Sequence, residues 1–226
     1  MTDRLAAFSK SLRERTRVLT LGPAPALLTL PDGEAPAPML LWLHGRTVSK
    51  EIDSARYLRL LRAGIATCAI DLPGHGERED LALQAPSSLA DLIAQTVSEI
   101  DTVLDALRAG PFGSRIRWDA LAMGGMSAGG MVALRRLCDA HPFRCAVAES
   151  TAGDFVAAAG GKAKDRMHVA SMRGLDPAQN LAEWRPIPLL ALHSEKDEVC
   201  PLPGISDFVG KLQKRYADAG ADAPQV

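Results

Sequence analysis

A serine between two glycines is the feature of this sequence that points most directly to chemistry. Residues 125–129 read Gly-Met-Ser-Ala-Gly, which matches the pattern G-x-S-x-G. A serine hydroxyl attacks a carbonyl carbon efficiently only when a neighbouring base takes its proton, and that base needs a carboxylate to orient it. A chain of this composition contains about 0.09 such matches by chance, so the pattern needs support from its surroundings.

The pattern lies between a predicted strand and a predicted helix. An apolar run at 118–123 precedes it and an amphipathic run at 128–140 follows it, which is the placement that a nucleophilic serine requires. Gly125 and Gly129 remove Cβ atoms that would clash in a tight turn. The helix after Ser127 would direct its free N–H groups at a negatively charged oxygen on the reacting carbonyl. The alternative is a glycine-rich turn with an incidental serine.

Three further polar segments each follow a predicted strand. They are Leu-His-Gly-Arg at 43–46, Asp-Leu-Pro-Gly-His-Gly-Glu-Arg at 71–78 and His-Ser-Glu-Lys-Asp-Glu-Val-Cys-Pro at 193–201. Ligands bind at the carboxyl ends of the strands in open α/β sheets. We therefore expect these segments to surround Ser127, and Asp197 to reach the same rim because it follows its strand by four residues.

The elements that must position these residues alternate along the chain. Strands are predicted at 17–21, 26–30, 38–44, 65–71, 118–123, 144–149 and 187–193, and helices at 49–63, 87–109, 128–140 and 204–219. This alternation predicts an α/β fold with a mostly parallel sheet that helices cover on both faces. Residues 151–185 interrupt the alternation, and we expect a cap-like insertion there within a single domain that spans residues 1–226.

Composition excludes several classes of function. The 26 Lys and Arg residues balance 27 Asp and Glu residues, so no global positive field draws the chain to nucleic acid or to anionic lipid. No apolar stretch is long enough to cross a membrane, and the N-terminus lacks the apolar region of a secretory signal. No spacing of Cys, His, Asp or Glu suits a metal ion, so no metal or other cofactor is predicted. We expect a cytoplasmic protein with a small-molecule substrate, and its oligomeric state stays open.

Taken together, these four segments resemble the α/β-hydrolase superfamily, specifically the small serine esterases related to dienelactone hydrolase. They occur in the family's order and extend over about residues 38–201. The resemblance implies that Ser127 is the nucleophile, that Asp197 is the acid of a catalytic triad, and that the backbone N–H groups of Arg46 and Ala128 form the oxyanion hole. It also implies that the substrate is a carboxylic ester, cleaved through an acyl-enzyme. Dienelactone hydrolase itself carries Cys where this chain has Ser127.

The histidines depart from the family's pattern, which places the catalytic histidine after the acid. No histidine follows Asp197, since the five are His44, His75, His141, His168 and His193. Structural or surface roles are predicted for four of them, which leaves His168 on the insertion as the candidate base within the chain.

The missing histidine leads to two expectations. We expect the base to lie on a further strand, loop and helix beyond residue 226, about 25–35 residues in all. The 226 residues alone should then hydrolyse esters poorly, with a loss of roughly 10⁴-fold or more, because only the oxyanion hole and substrate binding would remain.

Two alternatives stay open. Glu149 and Asp176 are other carboxylates that could serve a triad, although a hydrogen-bonding role at a strand end is favoured for Glu149. The chain could also be a catalytically decayed α/β-hydrolase that acts as a binding or scaffolding protein. The lack of a histidine after Asp197 favours that reading, whereas Asp197 itself and the turn around Ser127 oppose it.

Overall fold

A single mixed sheet organises the part of the chain that the computed structural model describes, residues 4–159 and 172–221. Within these residues seven strands lie in the order β1-β2-β4-β3-β5-β6-β7. Strands β1 and β2 pair antiparallel, as do β2 and β4, and the other neighbouring pairs are parallel. The strands are β1 (Thr16–Leu21), β2 (Ala24–Thr29), β3 (Ala37–Leu43), β4 (Ala66–Ile70), β5 (Ile116–Met126), β6 (Cys145–Glu149) and β7 (Leu189–Leu192).

Helices lie on both faces of this sheet. They are α1 (Lys10–Arg15), α2 (Ser54–Arg62), α3 (Leu81–Gln84), α4 (Leu89–Ala109), α5 (Ala128–Arg136), α6 (Phe155–Ala158) and α7 (Pro203–Asp218). Alternate side chains of β3 enter two separate cores because successive residues of a strand point to opposite faces. Leu41 and Leu43 pack in the larger core with α4, α5 and α7, and Leu40 and Trp42 pack in the smaller one with α1 and α2. The predicted α/β class with a mostly parallel sheet is thus confirmed.

In helix α4 the apolar spacing of the sequence correctly predicts which side chains are buried. It runs from Leu89 to Ala109, and its buried apolar face recurs at the spacing that the sequence shows, through Leu92, Ile93, Ile100, Val103, Leu104 and Leu107. No helix in residues 4–159 or 172–221 has the length and apolar character needed to cross a membrane.

Other boundaries differ from the prediction. Helix α2 begins at Ser54 rather than at residue 49, because Lys50 is drawn into the protein interior by contacts with Asp71. Helix α5 ends at Arg136 rather than at residue 140, and β5 is longer than predicted.

The predicted insertion at 151–185 is described only at its two ends. Helix α6 and two short 3₁₀ turns, Arg173–Leu175 and Pro177–Gln179, lie there. His168 falls outside the described residues. The cap-like insertion and the single domain over residues 1–226 remain predictions.

Candidate functional site

Ser127 occupies a strained turn between β5 and α5. Its φ of 53° and ψ of −120° lie in a region that non-glycine residues rarely adopt, and such strain costs about 1–3 kcal/mol. Three hydrogen bonds hold the turn. Ser127 N donates to Glu149 O at 2.9 Å, Met131 N donates to Ser127 O at 3.0 Å, and Thr151 Oγ1 donates to the same oxygen at 2.7 Å. These bonds fix the main chain of Ser127 at the N-terminus of α5.

The two glycines beside Ser127 allow backbone segments to approach closely. A Cβ on Gly125 would lie 2.4 Å from the carbonyl of Gly129, and a Cβ on Gly129 would lie 2.3 Å from Leu43 O. Real Cβ atoms do not come this close to backbone atoms. The steric reason predicted for both glycines is therefore confirmed, and it includes a contact with β3 that the local sequence does not reveal.

The segment after β3 lies directly against Ser127. A Cβ on Gly45 would be 3.5 Å from Ser127 Cβ, so the main chain that leads into Arg46 passes beside the serine. The ring of His44 fixes this segment, because its Nδ1 donates to Gly45 O at 2.6 Å and its Nε2 accepts from Leu72 N at 3.1 Å. Burial lowers the pKa of His44 to about 4, which keeps the ring neutral. These bonds agree with the structural role predicted for His44.

The loop after β7 approaches Ser127 from another side. Asp197 Oδ1 accepts hydrogen bonds from Val199 N at 3.0 Å and from Cys200 N at 2.8 Å. The Cys200 thiol lies near the Ser127 side chain, which lowers the pKa of the thiol. Burial raises the pKa of this thiol more than Ser127 lowers it, so Cys200 is a neutral thiol. Cys200 therefore lies between Ser127 and Asp197: its backbone N–H bonds to Asp197, and its thiol lies near Ser127.

Sequence reasoning missed the position of Cys200. Its spacing of three residues from Asp197 was the available signal, because a loop that presents Asp197 at the rim also brings its near neighbours there. The other oxygen of Asp197, Oδ2, has no hydrogen-bond partner among residues 4–159 and 172–221 and lies 3.9 Å from His193 Nε2. Within the described residues, Oδ2 can therefore accept a hydrogen bond from a further donor, such as a catalytic base.

The histidines that the structure describes bond elsewhere. His75 Nδ1 donates to Pro73 O at 2.7 Å, His141 Nδ1 lies 3.2 Å from an Arg185 nitrogen, and His193 Nε2 donates to Cys200 O at 2.7 Å. None of the four described histidines forms a hydrogen bond with Ser127. The expected structural role of His193, to hold the loop with Asp197, agrees with its bond inside that loop.

The two alternative carboxylates are both engaged in other contacts. Glu149 forms a two-pronged ion pair with Arg56, at 2.8 and 2.6 Å, and the Arg56 guanidinium stacks 3.9 Å above the ring of Trp42. Asp176 caps a 3₁₀ turn by accepting from Ala178 N at 3.0 Å. Burial raises the pKa of Asp176. Of these three candidate carboxylates, Asp197 is the one with an oxygen that has no hydrogen-bond partner in the described part of the chain.

A metal centre finds no support in the described part of the chain. No three side chains of His, Cys, Asp or Glu there form a group that could hold a metal ion.

Comparisons with known proteins agree with the fold. The sequence model of the alpha/beta hydrolase family matches residues 40–226. Esterase YjfP from Escherichia coli (strain K12) is 26% identical over 221 residues, which cover 89% of this chain and 84% of that protein. The crystal structure of TT1662 from Thermus thermophilus is similar with a TM-score of 0.71 and 28% identity, over 89% of this chain and 84% of that one.

More distant structures share the fold with part of a longer chain. A puromycin-hydrolysing peptidase from Mycobacterium tuberculosis has a TM-score of 0.71 at 18% identity, over 93% of this chain and 35% of that one. An acylaminoacyl peptidase from Pyrococcus horikoshii has a TM-score of 0.72 at 18% identity, over 94% of this chain and 36% of that one. At this identity the likeness concerns the fold alone.

Proposed function

Because the chain belongs to the alpha/beta hydrolase family, whose match supports a hydrolase activity, we propose that it cleaves carboxylic esters of small molecules through an acyl-enzyme on Ser127. The strained turn at Ser127 is the observation that carries this proposal. Strain of this kind persists only where the surrounding structure imposes it, and it is concentrated at functional sites. The segment with Gly45 and the loop with Asp197 both converge on this turn.

The proposed reaction assigns one role to each group. Ser127 Oγ attacks the ester carbonyl carbon while a base takes its proton, and the backbone N–H groups of Arg46 and Ala128 bind the negatively charged oxygen that forms. The C–O bond to the alcohol then breaks and the alcohol leaves with the proton. Water attacks the acyl-enzyme in the same way and releases the acid. Asp197 Oδ2 orients the base, and His168 is the histidine of this chain to test in that role.

A fluorophosphonate probe tests the nucleophile, because one covalent event suffices and turnover is not needed. Wild-type protein should become labelled at Ser127, and Ser127→Ala should not. Ser194→Ala is the matched control, since Ser194 lies on the loop after β7 and its hydroxyl accepts from Lys196 N. Labelling that survives Ser127→Ala and disappears in Ser194→Ala would contradict the proposal.

Turnover of p-nitrophenyl esters tests the acid. In a protein that carries its catalytic base and turns these esters over, Asp197→Asn should lower kcat by roughly 10⁴-fold, because an amide holds the base in the wrong tautomer. An unchanged kcat in Asp197→Asn would remove Asp197 from the mechanism.

A second candidate function is binding without catalysis. The observation that favours it is that none of the four described histidines contacts Ser127. Absence of labelling in the wild-type protein, together with tight binding of a non-hydrolysable ester analogue, would support this candidate.

A further inference from the structure

A cluster of buried charges lies at the base of the loop that carries Gly45 and Arg46. The Lys50 side chain is fully buried. Its Nζ lies 2.7 Å from Asp71 Oδ2, 2.6 Å from Glu77 Oε1 and 3.2 Å from Glu51 Oε1. A buried ammonium without partners costs several kcal/mol, so these carboxylates are what allow Lys50 to enter the interior. We refer to Lys50, Glu51, Asp71 and Glu77 as the Lys50 cluster.

The main chain at Lys50 is anchored from both sides. Lys50 N donates to Asp71 Oδ1 at 3.0 Å, and Tyr57 Oη donates to Lys50 O at 2.6 Å. Asp71 itself is fixed, because Glu77 N donates to its Oδ2 at 2.9 Å and the Arg78 guanidinium donates to its backbone oxygen at 2.6 and 3.0 Å. The backbone position of Lys50 thus depends on Asp71.

A second anchor lies at the other end of the same loop. His44 bonds to Leu72 N, and Leu72 directly follows Asp71. Residues 45–49 therefore stretch between two anchors that are both attached to the segment after β4. Gly45 lies beside Ser127 within this stretch, since a Cβ built on it would be 3.5 Å from Ser127 Cβ. An oxyanion donor is effective only within a fraction of an ångström of its place, so the position of the Arg46 N–H depends on both anchors.

We propose that Lys50 is a positioning residue of the oxyanion hole, which acts by holding the loop of residues 45–49 against Ser127 through its ion pair with Asp71. The catalytic consequence rests on the proposed function, whereas the effect on the loop does not.

The charge of Lys50 persists at every pH at which ester hydrolysis is measured. Burial alone would lower the pKa of Lys50. The hydrogen bonds that its ammonium donates to Asp71 and Glu77, together with the charges of Asp71 and Glu51, outweigh burial and raise the pKa above its usual 10.5. Lys50 therefore stays charged and keeps its ion pair with Asp71 over this whole pH range.

Replacement of Lys50 by methionine tests the proposal, because methionine keeps the length of the side chain and removes its charge. Arg136→Met is the matched control. Arg136 is also buried and pairs with Asp101 at 2.7 Å, but it lies at the end of α5 far from Ser127. Both variants should lower the Tm. Only Lys50→Met should accelerate amide hydrogen exchange in peptides that cover residues 44–50, by about tenfold or more.

Kinetics test the catalytic part. Lys50→Met should lower kcat by about 10²–10³-fold, which is the loss expected for one oxyanion donor, with KM changed by less than about threefold. The double variant Lys50→Met/Asp71→Asn removes the unpaired carboxylate. The Tm of the double variant should be higher than that of Lys50→Met, while its kcat should stay as low. If Lys50 acted only through stability, kcat would recover together with Tm.

Two results would overturn the inference. One is unchanged exchange at residues 44–50 in Lys50→Met, and the other is a kcat that recovers together with Tm in the double variant. If the wild-type protein shows neither labelling nor turnover, the proposed function fails separately, and hydrogen exchange alone decides whether Lys50 holds the loop.

Discussion

His44 illustrates how a buried ionisable side chain couples the site to pH. Its pKa is lowered to about 4 by burial, against 6.5 for an exposed histidine. Between these two pH values the unfolded chain binds a proton that the native protein does not. The free energy of unfolding therefore falls as pH decreases through this window, by about 3 kcal/mol in all for this one group.

We expect His44→Asn to flatten this acid dependence. Urea denaturation at pH 7, 6, 5 and 4.5 measures it, and the stability difference between wild type and variant should shrink as pH falls. Some slope should persist, because the pKa of His141 is also lowered to about 4, by burial first and by Arg185 and Arg136 next. Identical slopes for wild type and His44→Asn would show that His44 does not carry the effect.

At the scale of elements, the turn between β5 and α5 leaves no room for added side-chain atoms at its glycines. Gly129→Ala would place a methyl group 2.3 Å from Leu43 O, and α5 would have to move away from β3. We expect a loss of about 3 kcal/mol in the free energy of unfolding, at the upper end for an overpacked site.

Gly210→Ala is the matched control for this prediction. Gly210 lies inside α7 with nothing within 4 Å of the position of its Cβ, so alanine should stabilise the helix by about 0.5–1 kcal/mol. Urea denaturation of the two variants measures both changes. Equal stability of Gly129→Ala and wild type would mean that β3 and α5 are not in the contact described.

At the scale of the whole molecule, β7 forms one edge of the sheet in the described part of the chain. The side chains of Leu190 and Leu192 on this strand are 38% and 46% exposed. An edge strand with exposed apolar residues pairs readily with other chains, and a lysine on the edge opposes that pairing.

Association should therefore depend on this edge. We expect the wild-type protein to self-associate as its concentration rises, and Leu190→Lys/Leu192→Lys to reduce the effect, as measured by size-exclusion chromatography with light scattering. Leu81→Lys is the control, because Leu81 is 74% exposed but lies on α3, away from the edge. A wild-type protein that stays monomeric at high concentration would contradict the prediction.

The sequence by itself determined the features that depend on local periodicity. The burial pattern of α4, the strand–turn–helix order around Ser127 and the mostly parallel sheet all follow from apolar spacing over one or two elements. The need for glycine at 125 was also predictable, because the backbone of the turn itself leaves no room for a Cβ there. At 129 the same prediction holds, but the atom in the way belongs to β3.

Only the tertiary structure decided where charged and small polar residues act. The sequence predicts that Lys50 lies in a helix that begins at residue 49. Two carboxylates of the later segment 71–78 instead hold its side chain in the interior, and α2 begins at Ser54. The sequence analysis assigns no role to Cys200, yet its thiol lies near the Ser127 side chain. Both placements depend on partners that are distant in sequence. Contacts of this kind do not alter the apolar periodicity of the chain, so the sequence pattern could not predict them.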